Sequence, residues 1–340
     1  MNILITSAGR RGYIIKYFKD ALREYGGKVY AGNSNPLSAA FEYADESIIT
    51  PLIYDKEYIP FLISFCRQKQ IEVIISLFDV DLLILAQNKE TFQENGVKVI
   101  VSEETVIDTC NDKWKTYEFC MKNDICVPKT YKVITDVKRA VLSGELSFPV
   151  IVKPRWGMGS IGILEADDEA ELEIMVKKCR KVIQSTYLKY EAVSDIDNSV
   201  IIQERLLGDE YGLDIINDLD GHFCNDVVRK KYAMRMGETD CAMVVQDKRI
   251  DVFAEKLSRM LGHIANLDVD VFINGDKVYL LEMNARLGGG YPFSYLAGVD
   301  LPKAIIKWIN GEHLEDELQI RQYDRVIQKD IGFVDLTRFQ

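Results

Sequence analysis

Along the first hundred residues, short apolar runs alternate with stretches whose hydrophobic positions repeat at helical spacing. Residues 2–6, 28–31, 47–50, 73–76 and 97–101 read as strands, and 13–25 and 58–70 read as amphipathic helices. Strand–helix alternation of this kind predicts a doubly wound parallel sheet, whose ligands gather at the carboxyl ends of its strands. Two segments should lie at such ends, Ser7-Ala8-Gly9-Arg10-Arg11-Gly12 and Phe78-Asp79-Val80-Asp81. The first could hold an anion at a helix N-terminus. It is not Gly-x-Gly-x-x-Gly, so support for a nicotinamide-cofactor oxidoreductase is weak.

After Ser102 the pattern changes. Asn111 or Asp112 caps an expected helix running to about Asn123. The run 148–154 reads as a strand stopped by Pro154, and 161–165 as its hairpin partner. Between them lies Arg155-Trp156-Gly157-Met158-Gly159-Ser160-Ile161-Gly162, the most glycine-rich segment of the chain. An exposed loop at 195–199 leads into a strand over 200–203. Further on, Val269 to Ile273 and Val278 to Leu281 form two β-rich runs around Asn274-Gly275-Asp276, the composition of a hairpin turn.

The register of that hairpin carries chemistry. Period-two alternation places Glu282 and Asn284 on one face, with Asp270 on the paired strand. Three oxygen ligands then converge. Magnesium favours oxygen coordination and completes its shell with water and substrate phosphates, so the set suits a nucleotide-bound Mg2+, with Mn2+ as a possible substitute. Solvated acids at strand ends are the alternative reading.

Composition narrows the class. The 340 residues suit two or three domains; 47% are hydrophobic and 28% charged, ordinary proportions for a soluble globular enzyme. No stretch approaches a membrane span and the start lacks a signal-peptide pattern, so the expected compartment is the cytoplasm. A net charge of −11 opposes nonspecific attraction to nucleic acid. Seven cysteines without Cys-x-x-Cys spacing argue against a disulfide framework or a zinc ribbon, and three dispersed histidines suggest neither a His-based metal site nor a local triad. Chemistry should therefore rest on carboxylates, lysines, arginines and backbone amides. A lysine ending a strand beside a glycine loop, as Lys153 does, can set one charge and several amides around a triphosphate. The densest basic patch is Arg229-Lys230-Lys231 with Arg235; alternation would turn Arg229 and Lys231 to one side. Either that side is solvated, or it faces the site, where Lys231 and Arg235 balance a phosphate or a carboxylate.

Lys113, then Val-Lys-Pro at 152–154 with its glycine loop, then Gln203-Glu204-Arg205-Leu206 with Gly208 and Glu210, then Glu282-x-Asn284-x-Arg286, occur in the order of the ATP-grasp superfamily. The chain resembles the ATP-binding units of carbamoyl-phosphate synthase large subunits and biotin carboxylase over nearly its whole length. The resemblance implies an α/β pre-ATP-grasp (Rossmann-like) domain over 1–108 and a two-lobed α+β ATP-grasp fold. Its small lobe would span 109–200, its large lobe 201–315, with a C-terminal extension at 316–340. It further implies that Lys113 joins Lys153 on phosphate and that Gly157, Met158, Gly159 and Ser160 belong to a lid over ATP. The Gln203–Leu206 segment would meet adenine through backbone at Glu204 and Leu206, and Glu210 would hold the ribose. Arg286 would stand beside an acyl phosphate, and Leu287 to Gly290 would let backbone approach a substrate. Arg-Leu-Gly-Gly looks more like ligases that activate an organic acid than like biotin carboxylase.

The expected protein is an ATP-dependent carboxylate–amine ligase acting on small molecules, by resemblance a homodimer. A bicarbonate-activating, carbamoyl-phosphate-synthase-like enzyme and a non-catalytic ATP-binding module are the alternatives.

Overall fold

The computed structural model describes residues 1–339; Gln340, the end of the 316–340 segment, lies outside them. Five strands open the chain: β1 (Ile3–Thr6), β2 (Val29–Asn33), β3 (Glu46–Ile49), β4 (Val73–Ser76) and β5 (Lys98–Ile100). All pair in parallel, in the order β3-β2-β1-β4-β5. Helices α1 (Gly12–Leu22), α2 (Tyr58–Lys69), α3 (Asp79–Gln87) and α4 (Lys89–Glu94) connect them. Every residue of β1 and β4 is buried, as expected of central strands covered on both faces. Strand order reverses beside β1, so the loops after β1 and β4 meet at the switch point where such sheets bind ligands. Helix α1 ends at Leu22, short of the expected 25, in a turn closed by the Gly26 N–H on the Leu22 carbonyl.

Helices α5 (Glu104–Asn111) and α6 (Lys113–Lys122) lead out of this unit. Asp112, rather than Asn111, caps α6 by accepting from the Trp114 N–H at 2.9 Å. A small antiparallel sheet comes next, built from β6 (Thr130–Tyr131), β7 (Val150–Pro154), β8 (Leu164–Ala166) and β9 (Val200–Glu204) in the order β6-β9-β7-β8. Helices α7 (Ile134–Leu142), α8 (Glu169–Ser185) and α9 (Leu188–Glu191) accompany it. The β7–β8 hairpin exists, but β8 begins at Leu164, not Ile161: Ser160 and Gly162 take positive φ (+60° and +72°), which strand backbone does not allow.

The third sheet has β10 (Asp209–Asn217), β11 (Phe223–Arg235), β12 (Glu238–Val245), β13 (Ala265–Asn274), β14 (Lys277–Asn284) and β15 (Val326–Gln328), in the order β14-β13-β10-β11-β12-β15. One face carries Leu213, Ile215, Leu267, Val269 and Val271 against Ile250, Ala254 and Leu257 of α10 (Lys248–Leu261). The other face carries charge. Helices α11 (Tyr291–Leu296) and α12 (Leu301–Ile309) lie beyond β14 in the chain, and β15 adds an edge strand from the 316–340 segment. Among the described residues no helix is long and apolar enough to cross a membrane.

Candidate active site

The charged face of the third sheet is a product of register. Asp270 stands opposite Glu282, and Asp268 opposite Asn284, across β13 and β14. On the other side Gly212 pairs with Asp270 and with Arg229. Since side chains alternate, Glu210, Asp214, Arg229, Asp268, Asp270, Glu282 and Asn284 share the face turned away from α10. Gly212 leaves a gap in the middle of it. A Cβ there would stand 3.1 Å from Lys231 Cε and 3.3 Å from Arg229 Nη2, the two side chains that cross β10 to reach the acids of β13. Lys231 Nζ lies 2.6 Å from both Asp270 Oδ1 and Glu210 Oε1. Burial opposes its charge, but the two carboxylates prevail and raise its pKa. Burial pushes the Asp270 carboxyl up to about 6 against the pull of Lys231, with Asp268 and Glu210 adding to the rise.

Next to this pair sits a second ionic group. Arg286 Nε reaches Asp79 Oδ2 at 3.1 Å, and its Nη1 reaches Asp268 Oδ2 at 2.8 Å. Asp79 starts α3 in the N-terminal sheet, so the arginine bridges the first sheet and the third. Arg229 donates to Asp214 and, at 3.4 Å, to Asp268. Gly288, Gly289 and Gly290 run directly over these groups. Side chains on them would collide with Asp268, Glu238 and Arg229 respectively, so the close approach expected of this run is to the protein's own charges.

Above the metal-type acids lies the glycine loop. Lys113 Nζ donates to the Gly157 carbonyl and stands 3.5 Å from Glu282 Oε1. Gly157, Met158, Lys113, Asp79, Glu282 and Asn284 surround one small cavity. Gly159 instead rests on Gly237 in the β11–β12 turn, and Ser160 is exposed. Arg155 anchors the loop: its Nε and Nη2 hold the two oxygens of Asp112 at 2.7 Å each, its Nη1 holds Asp195 at 2.7 Å, and its guanidinium covers the Trp156 ring. Thus the cap of α6 and the base of the loop are one ionic unit.

Lys153, buried at the end of β7, donates to Gln203 Oε1 at 2.7 Å; Gln203 in turn donates to Thr130. Burial first, then nearby Lys113, lowers the Lys153 pKa to about 8. The Gln203 side chain thus links Lys153 to Thr130. Glu204 pairs with Lys129 through its N–H (2.8 Å) and its carboxylate (3.2 Å), Arg205 is exposed beside Glu165 at 3.2 Å, and Leu206 ends the segment half-buried. Glu210 lies on the Lys231 side of the same site.

One expected member is elsewhere. Arg235 does not join Lys231: register shifts between Lys231 and Met234 break the alternation, and its Nη2 pairs with Asp240 at 2.9 Å near the β11–β12 turn. Asp268 had no expected role. Asp79 lay in the expected ligand crevice, Asp112 was an expected cap and Arg155 opened the glycine-rich segment, but the ion pairs that these three make went unforeseen. Asp268 carried a signal, since it precedes Asp270 by two residues and must share its face. The others are joined to their partners only by tertiary folding.

The donor set fits magnesium. Asp270, Glu282 and Asn284 offer hard oxygens from neighbouring positions of β13 and β14, and Asp79 Oδ1 and Asn111 Oδ1, which line one small cavity with Glu282 and Asn284, are buried oxygens without a partner among the described residues. By contrast, the Asp218–Asp220–His222 cluster is an exposed turn in which the Asp218 oxygens accept from the backbone N–H groups of Asp220 and His222 and face the imidazole.

A family model described as "PylC-like, N-terminal domain" matches residues 3–100, and one described as "ATP-grasp in the biosynthetic pathway with Ter operon" matches residues 197–329. Residues 197–329 are thus similar to an ATP-grasp family, in a chain with a parallel N-terminal sheet and two antiparallel sheets around a glycine loop. The chain is also similar to carbamoyl phosphate synthase. The large chain from Campylobacter jejuni is 24% identical over 322 residues, which cover 91% of this chain and 28% of that one. The chain thus spans little more than a quarter of the curated relatives it matches. Among solved structures, biotin carboxylase from Campylobacter jejuni, in a β-γ-ATP complex, superposes with a TM-score of 0.73 at 19% identity, covering 93% of this chain and 72% of that one. An L-amino acid ligase from Bacillus licheniformis gives 0.67 at 16%, covering 96% and 78%.

Proposed function

We propose that the chain is an ATP-dependent carboxylate–amine ligase that forms an amide through an acyl phosphate and releases ADP and phosphate. The observation that supports it most is the placement of Arg286 between Asp79 and Asp268, beside the opposed Asp270–Glu282 pair and beneath the glycine loop. In this reading residues 1–108 and the lobes 109–200 and 201–315 are the working domains of a cytoplasmic, homodimeric enzyme acting on small molecules.

Gln203 to Leu206 and Glu210 receive the nucleoside, while Lys113, Lys153 and the 157–160 loop receive the phosphates. Asp270, Glu282 and Asn284 would hold magnesium, which would supply positive charge to neutralise the terminal phosphates. Lys231 and Lys113 now neutralise Asp270 and Glu282 and are the ammonium groups within reach of an incoming γ-phosphate. A substrate carboxylate oxygen attacks that phosphorus, and the bond to ADP breaks. Arg286, held at two corners, is oriented to steady the acyl phosphate. An amine nitrogen then attacks the acyl carbon, inorganic phosphate leaves, and the amine proton passes to solvent. The lid tied to α6 through Arg155 and Asp112 keeps water from the intermediate.

Measuring ADP release from Mg-ATP across a panel of acids and amines tests this. Acid and amine together should raise it, and Glu282→Ala should lower it by roughly 10²- to 10³-fold. Undiminished turnover in that variant would overturn the assignment. The similarity to carbamoyl phosphate synthase over 91% of the chain favours one other reading, activation of bicarbonate, in which ADP release depends on bicarbonate alone.

A further inference from the structure

A separate cavity of about 390 Å³ opens where α1, the β11–β12 turn and the segment after β15 meet. Its charges divide into a matched set and an unmatched one, the latter including the Asp330 carboxylate, which accepts from the Ile331 N–H at 2.8 Å and forms no ion pair among the described residues. Glu238 is matched by Arg11 at 3.1 Å and Lys329 at 3.4 Å, and Asp240 by Arg235 at 2.9 Å. Arg10 and Lys16, on the α1 side, have no carboxylate partner among the described residues: Arg10 touches Met236 Sδ at 3.5 Å, and Lys16 lies 4.2 Å above the Tyr43 ring. Tyr13, between them in sequence and in the same wall, has a buried hydroxyl with no hydrogen-bond partner. Burial raises its pKa, so it is a neutral donor.

This cavity borders the phosphoryl site. A Cβ on Gly289, three residues after Arg286, would stand 2.6 Å from Glu238 Cδ, and Arg11 also donates to the Leu77 carbonyl at 2.6 Å, at the end of β4. The Gly237 turn at its rim is packed on Gly159 of the lid. Gly289 and Arg11 therefore border both the cavity and the phosphoryl site, and the lid reaches the cavity's edge.

We propose that this cavity receives the amine substrate and that this amine carries an anionic group, a carboxylate or a phosphate, held by Arg10, Lys16 and the Tyr13 hydroxyl. The inference rests on the ligase reading and specifies its acceptor. Two unpaired cations against the single unpaired carboxylate of Asp330, beside a donor lacking an acceptor, leave an excess of positive charge that is complementary to an anion.

The test uses the full chain loaded with magnesium and a non-hydrolysable ATP analogue, and matched probes: glycine against glycinamide, and O-phosphoethanolamine against ethanolamine. Calorimetric affinities are read for the native protein and for Arg10→Gln combined with Lys16→Met. The anionic member of at least one pair should bind, glycine marking a carboxylate site and O-phosphoethanolamine a phosphate site. The double variant should weaken it roughly 10- to 100-fold while leaving analogue affinity unchanged. Equal binding of both members of each pair, binding by none of the four, or anion binding unchanged in the variant overturns the proposal. Failure of the native protein to bind the analogue would instead overturn the ligase reading itself.

Discussion

The first and third sheets handle carboxylates withdrawn from solvent in opposite ways, Asp81 being fully buried and Asp268, Asp270 and Glu282 half-buried, although both sheets meet at the site. In the parallel sheet, Asp81 is fully buried and accepts from four neutral hydroxyls: Thr6 at 2.6 Å, Ser76 at 2.7 Å, Tyr58 at 2.8 Å and Ser7 at 3.1 Å. On the antiparallel sheet, Asp268, Asp270 and Glu282 face arginines and lysines instead. Hydroxyls that belong to adjoining strand ends fix geometry. Ammonium and guanidinium groups on long side chains neutralise charge yet can be exchanged for other ions. Asp79 and Asp81, two residues apart, fall on opposite sides of this division.

Separating those two residues gives the largest expected effect. Asp81→Ala would leave four hydroxyls without their shared acceptor and should cost about 3 kcal/mol or more of stability in urea denaturation. Asp79→Ala should leave stability closer to native but lower kcat roughly 10²-fold, because Arg286 would lose one of its two anchors. The division between the sheets would be wrong if the two variants behaved alike.

Lys153 sharpens the contrast from the basic side. It titrates near 8 in the folded protein against 10.5 for an ordinary lysine. Between those values the unfolded side chain holds a proton that the folded one has released, so this group makes stability rise with pH across that window. Phosphate contact should restore the charge. Nucleotide binding at pH 9 should therefore take up as much as one proton, measured by calorimetry in buffers of different ionisation enthalpy, and Lys153→Met should abolish the uptake. The smallest effect is expected at Arg205, whose ion pair with Glu165 is exposed on both sides. Arg205→Ala should change stability by under about 0.5 kcal/mol.

Much of this arrangement is legible in the chain. The span 73–76 for β4, the turn at Asn274-Gly275-Asp276 and the shared side of Arg229 and Lys231 all come from local pattern, because alternation needs only a regular strand. Arg235 shows where that stops: the shift between Lys231 and Ala233 puts one extra residue into β11 with no sequence signature, and that residue reverses the facing of those beyond it. The strand β8 starts later than its composition suggests because a lid loop and a hairpin strand share the same residues until backbone angles decide. Arg286 is paired with Asp79, which lies 207 residues away, a pairing that only the assembled fold creates.

That anchor makes Arg286 a strut between two sheets. One guanidinium holds Asp79 at the ligand crevice of the first and Asp268 on the charged face of the third. Any ligand that draws the arginine toward itself loosens both ends together, so in the proposed ligase occupancy of the crevice and occupancy of the phosphate site would share one free-energy term. By linkage that coupling is reciprocal: whatever strengthens the hold on nucleotide through Arg286 must alter, by the same factor, the hold on any molecule that enters beside Asp79.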